Sequence, residues 1–224
     1  MTFKLNTTVP WGRTLEEYVK MFSLSDTDLD KKLIGFGDGP ASFNQEMTSN
    51  GKSVVSLDPI YQFSENEIRE RIEETRDIVL EQTKNNQEKF VWSTIKDLDD
   101  LEDIRMDAMN TFLEDFEEGK SDRRYISHEL PAKTYFLDKD FDIALSSHFL
   151  LLYSDLGLDF HIQAIDEMLR VAEEVRIFPI VNLNGERTEL LDDIIKNYAG
   201  KNMVLLQKVE YEFQKGANEM LVIK

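Results

Sequence analysis

Apolar residues along the chain fall into two kinds of run. Short unbroken ones occupy 33–36, 54–57, 141–148 and 175–181, each bounded by Gly, Asp, Ser or Pro. A run of this length rich in Val, Ile, Leu and Phe predicts a strand buried on both faces, as in a parallel sheet. Pro179 weakens the far end of the last one, because it cannot donate a ladder hydrogen bond. A further strand and the turn leaving it are predicted over 124–131.

Between these runs the apolar spacing changes to three and four. Thr14-Leu15-Glu16-Glu17 forms a capping box that opens a short helix toward Phe22, with Leu15, Tyr18, Val19 and Phe22 on one face. Ser64-Glu65-Asn66-Glu67 opens a longer one carrying Ile68, Ile72 and Val79. Leu98, Leu101, Ile104, Ala108 and Phe112 mark another, with Gly119 read as its C-cap. Helices are also predicted over 159–172 and 188–198. Residues 204–213 and 220–223 read as two strands whose connection is too short for a crossover helix, so they form a hairpin and place an antiparallel strand at the end of the sheet.

The predicted fold is therefore α/β: a Rossmann-like, seven-stranded, mostly parallel sheet with an antiparallel C-terminal hairpin strand and helices on both faces. Residues 1–224 are read as a single domain. The helix at 13–23 and the helical insertion at 60–119 are read either as packing elements or as a cap over a ligand, since loops at the carboxyl ends of parallel strands are where ligands sit.

The chain of 224 residues has no cysteine, which excludes disulfides, thiolate nucleophiles and cysteine-ligated metals and fits a reducing, cytoplasmic location. No leader-like pattern is read over residues 1–11, and the apolar run around 149–153 is too short to span a bilayer. Lys and Arg total 26 against 44 Asp and Glu, a net charge of -18, so nucleic acid is a poor partner and a small-molecule substrate the better expectation.

The chemistry concentrates where the first strand ends. Gly35-Phe36-Gly37-Asp38-Gly39 is a glycine turn running into a helix, and Asp58 ends the second strand 19 residues after Gly39. Glycines there permit positive φ and close approach of a ligand to the main chain, and a carboxylate at that spacing suits a ribose diol. The pattern predicts a nucleotide-cofactor half site, although the dinucleotide spacing GxGxxG is not met.

Together with Leu130-Pro131 before Phe141-Asp142 and the closing hairpin, these motifs resemble the class I S-adenosylmethionine-dependent methyltransferases over essentially the whole chain beyond the first helix. The segments GDGPASFN, SLDPIYQF, SSHFLLLYSD and VEYEFQKGANEML are similar, more narrowly, to a bacterial subgroup of such proteins. The resemblance implies S-adenosylmethionine as cofactor. It assigns Gly35, Phe36, Gly37, Asp38 and Gly39 to the methionine part, Asp58 and Pro59 to the ribose, Ser127, His128 and Glu129 to the adenine edge, and Ser146 and Ser147 to the floor near the sulfonium. The family's acid two residues before the first glycine is Leu33 here, with Asp38 as a conceivable substitute.

His148, at the end of the fourth strand, is the candidate general base, with hydrogen bonding to the adjacent loop as the plainer role. Arg13, Tyr18 and Tyr153 are candidates for substrate contact, and Trp11 and Trp92 for the pocket wall. His128, His148 and His161 have no metal-binding spacing, so no metal is expected. Met47, Met106, Met109 and Met168 read as core filling. Methyl transfer to a small acceptor is the leading expectation. The alternatives are a protein that binds the cofactor or its demethylated product without catalysis, and a nicotinamide oxidoreductase, which would lack the closing hairpin.

Overall fold

The computed structural model describes residues 10–224. The reading of a missing leader rested on residues 1–11 and lies almost wholly outside them. Seven strands form one sheet: β1 (Leu33–Phe36), β2 (Val54–Leu57), β3 (Tyr125–Ile126), β4 (Phe141–Ser147), β5 (Ala172–Phe178), β6 (Val204–Lys208) and β7 (Glu219–Ile223). They lie in the order β3-β2-β1-β4-β5-β7-β6. Every pairing from β3 through β5 is parallel, while β7 runs antiparallel to both β5 and β6. The chain winds outward from β1 in one direction and from β4 in the other, so the crevice at their carboxyl ends is the switch point where such sheets bind ligands.

Among the described residues, seven α-helices accompany the sheet: α1 (Leu15–Phe22), α2 (Asp26–Leu29), α3 (Phe43–Ser49), α4 (Glu65–Lys84), α5 (Leu98–Ser121), α6 (Leu158–Val171) and α7 (Leu190–Tyr198). The capping boxes at Thr14 and Ser64 are both present, each side chain accepting from the backbone three residues on while that residue's glutamate accepts from the cap. Strand alternation divides the core. Ile34, Phe36, Ala144, Val175 and Ile177 face α6 and α7, whereas Leu33, Val54, Ile143 and Leu145 face Tyr18, Met21, Phe22, Phe43 and Met47 of α1 and α3. A third cluster joins α4 and α5 to Tyr61 and Tyr125. Met47, Met109 and Met168 are fully buried in these clusters and Met106 packs at the edge of the third.

Several boundaries differ from the sequence reading, each for a local reason. Gly119 lies inside α5, not beyond it, and is a glycine that makes room for the Tyr125 ring, 2.4 Å from an ideal Cβ. The third strand is only two residues long. The fifth begins at Ala172 and stops at Phe178, immediately before Pro179. β6 ends at Lys208, which leaves residues 209–218 as a long connection to β7. That connection reaches the segment between α4 and α5, where Val91 donates to the Phe213 carbonyl at 2.7 Å.

Candidate functional site

The site is a cavity of about 530 Å³ at the carboxyl ends of β1, β2 and β4. Its floor comes from backbone. β1 ends at Phe36, and Gly37 and Gly39 adopt φ of +75° and +58°, conformations that side chains resist. The turn leaves the Gly37 amide donating to the Leu57 carbonyl at 2.8 Å and the Gly39 amide donating to Asp58 Oδ2 at 2.9 Å. Asp58 Oδ1 accepts from the Ile60 amide at 2.9 Å, capping the 3-10 turn that Pro59 begins. Each oxygen of the Asp58 carboxylate therefore keeps one acceptor position for a ligand. Burial raises its pKa to about 6, opposed by those two amides.

Gly35 has a different purpose from the one expected. It sits inside β1 without positive φ and outside the cavity wall, and the Asp38 carboxylate occupies the place of its missing side chain, Oδ2 lying 1.9 Å from an ideal Cβ. Asp38 is thus turned back beneath the turn, where Oδ1 accepts from the Tyr18 hydroxyl at 2.8 Å. Burial drives its pKa up to about 7, against the Ser56 and Tyr18 hydroxyls and with help from the Asp58 charge. Leu33, where the family's acid would stand, is fully buried in the core.

The remaining sequence candidates divide by position. Phe36, Gly37, Asp38, Gly39, Asp58, Pro59, His128, Glu129, Ser147, His148, Arg13, Tyr18 and Tyr153 all line the cavity, whereas Gly35, Ser127 and Ser146 do not. Ser127 is exposed and Ser146 is sealed inside the sheet. Trp11 lines the cavity too, while Trp92 packs against Phe90 and Phe213 behind it. His128 is half-buried and its Nε2 has no hydrogen-bond partner among the described residues. The His148 ring lies with Nδ1 2.9 Å from Ser147 Oγ. Burial, reinforced by the charges of Arg13 and Arg105, holds its pKa well below the usual histidine value, so it is neutral and a weaker base than the sequence suggested. His161 lies elsewhere, its two ring nitrogens against the carbonyls of Gly157 and Leu150 at 2.6 and 2.9 Å. No cluster of three metal-ligating side chains occurs among the described residues.

The roof, a buried ion-pair cluster of which only Tyr211 reaches the cavity lining, was not legible from sequence. Arg105 of α5 is fully buried and donates to both oxygens of Glu17, at 2.6 and 2.7 Å, while the Tyr211 hydroxyl donates to Glu17 Oε1 at 2.9 Å. Burial by itself would raise the Glu17 carboxyl, but the Arg105 charge and hydrogen bonds outweigh it and hold the pKa down to about 2. One carboxylate so joins α1, α5 and the hairpin connection. Beside it, Val79 and Thr83 of α4, Leu101 of α5, and Phe90 and Phe213 form an apolar wall to the same cavity. The only sequence signal for this cluster was a charged residue on the apolar side of each helix: Glu17 next to Tyr18, and Arg105 four residues after Leu101.

No protein-family model matches the chain. The uncharacterized protein MJ0045 of the archaeon Methanocaldococcus jannaschii is 39% identical over 225 residues, spanning 98% of this chain and 97% of that protein. The chain belongs to the family of that protein. This relative is archaeal, so it does not carry the bacterial placement drawn from the sequence segments. Among solved structures the chain is similar to the methyltransferase domain of bacterial CtHen1-CN, 11% identical over 94% of this chain and 96% of that one, with a TM-score of 0.50. It is also similar to magnesium protoporphyrin IX methyltransferase from Synechocystis PCC 6803, 11% identical over 93% and 80% of the two chains, with a TM-score of 0.47. The likeness to the first of these is one of fold: a seven-stranded sheet closed by an antiparallel hairpin, as in Rossmann-like methyltransferases. No helix among the described residues is long and apolar enough to cross a membrane.

Proposed function

We propose that the cavity binds S-adenosylmethionine and that the chain transfers its methyl group to a small molecule. The observation that carries this reading is the pairing of the Gly37–Gly39 turn with Asp58 at the floor of a cavity that extends well beyond them. Two features of that floor fit the cofactor. Asp58 keeps one free acceptor position on each oxygen for the two ribose hydroxyls, and the unpartnered Nε2 of His128, beside Glu129, suits the polar edge of adenine. When bound, the cofactor supplies an electrophilic methyl on a sulfonium.

The chain's own residues then bind, orient and exclude water. Methyl transfer needs the acceptor aligned in line, and holding it so contributes on the order of 7–11 kcal/mol at best. The apolar wall from Val79, Leu101, Phe90 and Phe213 keeps solvent from the acceptor side. With Nδ1 against Ser147, His148 offers Nε2 to a proton leaving the acceptor, a role its lowered pKa weakens. The helical insertion and α1 act as a cap in this reading.

Binding without catalysis is the second reading, favoured by the Asp38 carboxylate facing Gly35 in place of the open side of the turn, and by the depressed His148. Against a nicotinamide oxidoreductase stands the antiparallel β7, which that reading excluded. Calorimetry with S-adenosylmethionine and S-adenosylhomocysteine tests the cofactor, and turnover assays on candidate acceptors separate catalysis from binding. Absence of binding by either compound sinks both methyl-cofactor readings.

A further inference from the structure

Among the described arginines that are not exposed, pairing with a carboxylate has one exception. Arg105 is paired with Glu17, Arg176 with Asp28 and Glu174, Arg124 with Asp115, and Arg170 with Glu167 and Asp138. Arg13 lines the cavity and has no carboxylate oxygen within 4 Å among the described residues. Its Nη1 donates to the Trp11 carbonyl at 2.6 Å, and its buried Nε has no partner among the described residues. A poorly solvated guanidinium without a carboxylate in contact is unfavourable, the more unexpectedly in a chain of net charge -18.

The surroundings of Arg13 are asymmetric. Toward α5 it meets the opposing field of Arg105, offset in part by that of Glu17, and Leu101, one helical turn before Arg105 on the same face, lines the cavity. On the hairpin connection Tyr211 and Phe213 both line it as well. The cation thus shares one cavity with an apolar wall made by Val79, Leu101, Phe90 and Phe213, and the exposed Phe63 lines it too.

We propose that this arm of the cavity takes a methyl acceptor built as an apolar or aromatic body bearing one anionic group, the anion received by Arg13 and the body by the wall from α4, α5 and the hairpin connection. The proposal rests on the reading that the glycine end holds the cofactor. Arg13 supplies a planar fork suited to a carboxylate, and the wall supplies desolvation that strengthens the pairing.

The test titrates 2-naphthoate and its neutral counterpart 2-naphthylmethanol into the full chain by calorimetry, with and without S-adenosylhomocysteine. A charge-assisted pairing predicts that the naphthoate binds roughly tenfold or more tighter than the alcohol. Arg13→Gln removes that preference, Arg13→Lys keeps part of it, and Leu101→Gln weakens both probes alike. Failure of naphthoate to bind, or an undiminished preference in Arg13→Gln, overturns the proposal. So does a variant Arg13→Gln that weakens S-adenosylhomocysteine but neither naphthoate nor 5′-methylthioadenosine, which lacks the amino-acid end, since the anion is then the cofactor's own. If naphthoate shows its Arg13 dependence while S-adenosylhomocysteine fails to bind, the preference for an apolar anion stands and the cofactor reading falls.

Discussion

The floor and the roof of the cavity are made in opposite ways. The floor is backbone: two left-handed glycines, the amides of Gly39 and Ile60, and one carboxylate from the next strand, all within residues 37–60. The roof is side chain: Glu17, Arg105 and Tyr211 meet from α1, α5 and the hairpin connection, separated by 88 and 194 residues from the glutamate. A floor of that kind is set by local conformational preference, whereas such a roof exists only once the tertiary fold has formed.

Breaking the roof should therefore be felt as stability and breaking the floor as affinity. Arg105→Leu leaves Glu17 buried without its counter-charge and should lower unfolding free energy by about 3–5 kcal/mol, read as a shift in urea midpoint at unchanged slope. Asp58→Ala should weaken S-adenosylhomocysteine by roughly tenfold or more in calorimetry, since it removes acceptors for two hydroxyls. Equal affinity in parent and variant removes Asp58 from the proposed cofactor site. Gly37→Ala should destabilise by about 1–2 kcal/mol for its φ of +75°, with an added clash against the Phe149 ring, 2.9 Å from an ideal Cβ. Gly39→Ala, with φ of +58° and open space around it, should show the conformational part alone, so thermal melts of the two variants should differ in that order.

The two regions should also respond to pH in opposite senses. Asp38 and Asp58 titrate near 7 and 6 in the folded chain against an ordinary 3.8, so the folded state holds more protons between those limits and stability from the floor falls as pH rises through that window. Glu17, held down to about 2 against an ordinary 4.5, stabilises above 4.5 and loses that contribution as pH falls toward 2. Asp38→Asn should flatten the decline between about pH 4 and 7 in urea titrations. An unchanged slope would mean that Asp38 ionises normally.

The same division explains what the sequence revealed. Gly37, Gly39 and Asp58 were readable because turn geometry and strand-end chemistry leave a spacing behind, and the mostly parallel sheet with its antiparallel closing strand followed from the apolar runs and from a C-terminal connection without room for a crossover helix. Gly35 was misread because its reason is a neighbouring carboxylate, not its own φ. β6 was read as longer than it is because residues 209–213 alternate like a strand, while Tyr211 and Phe213 in fact face the cavity. Arg105 and Glu17 left no periodic trace, since each breaks its helix's apolar face in favour of the other.

Glu17 is also saturated. Oε2 accepts from the Thr14 amide at 3.0 Å and from Arg105 at 2.6 Å, and Oε1 accepts from Arg105 at 2.7 Å and from Tyr211 at 2.9 Å. A carboxylate has about four such positions, so none remains. The anion whose field Arg13 feels is thereby fully committed in hydrogen bonds, and among the described residues no other carboxylate pairs with Arg13. An anionic guest of the kind proposed would complete neutrality at that end of the chamber.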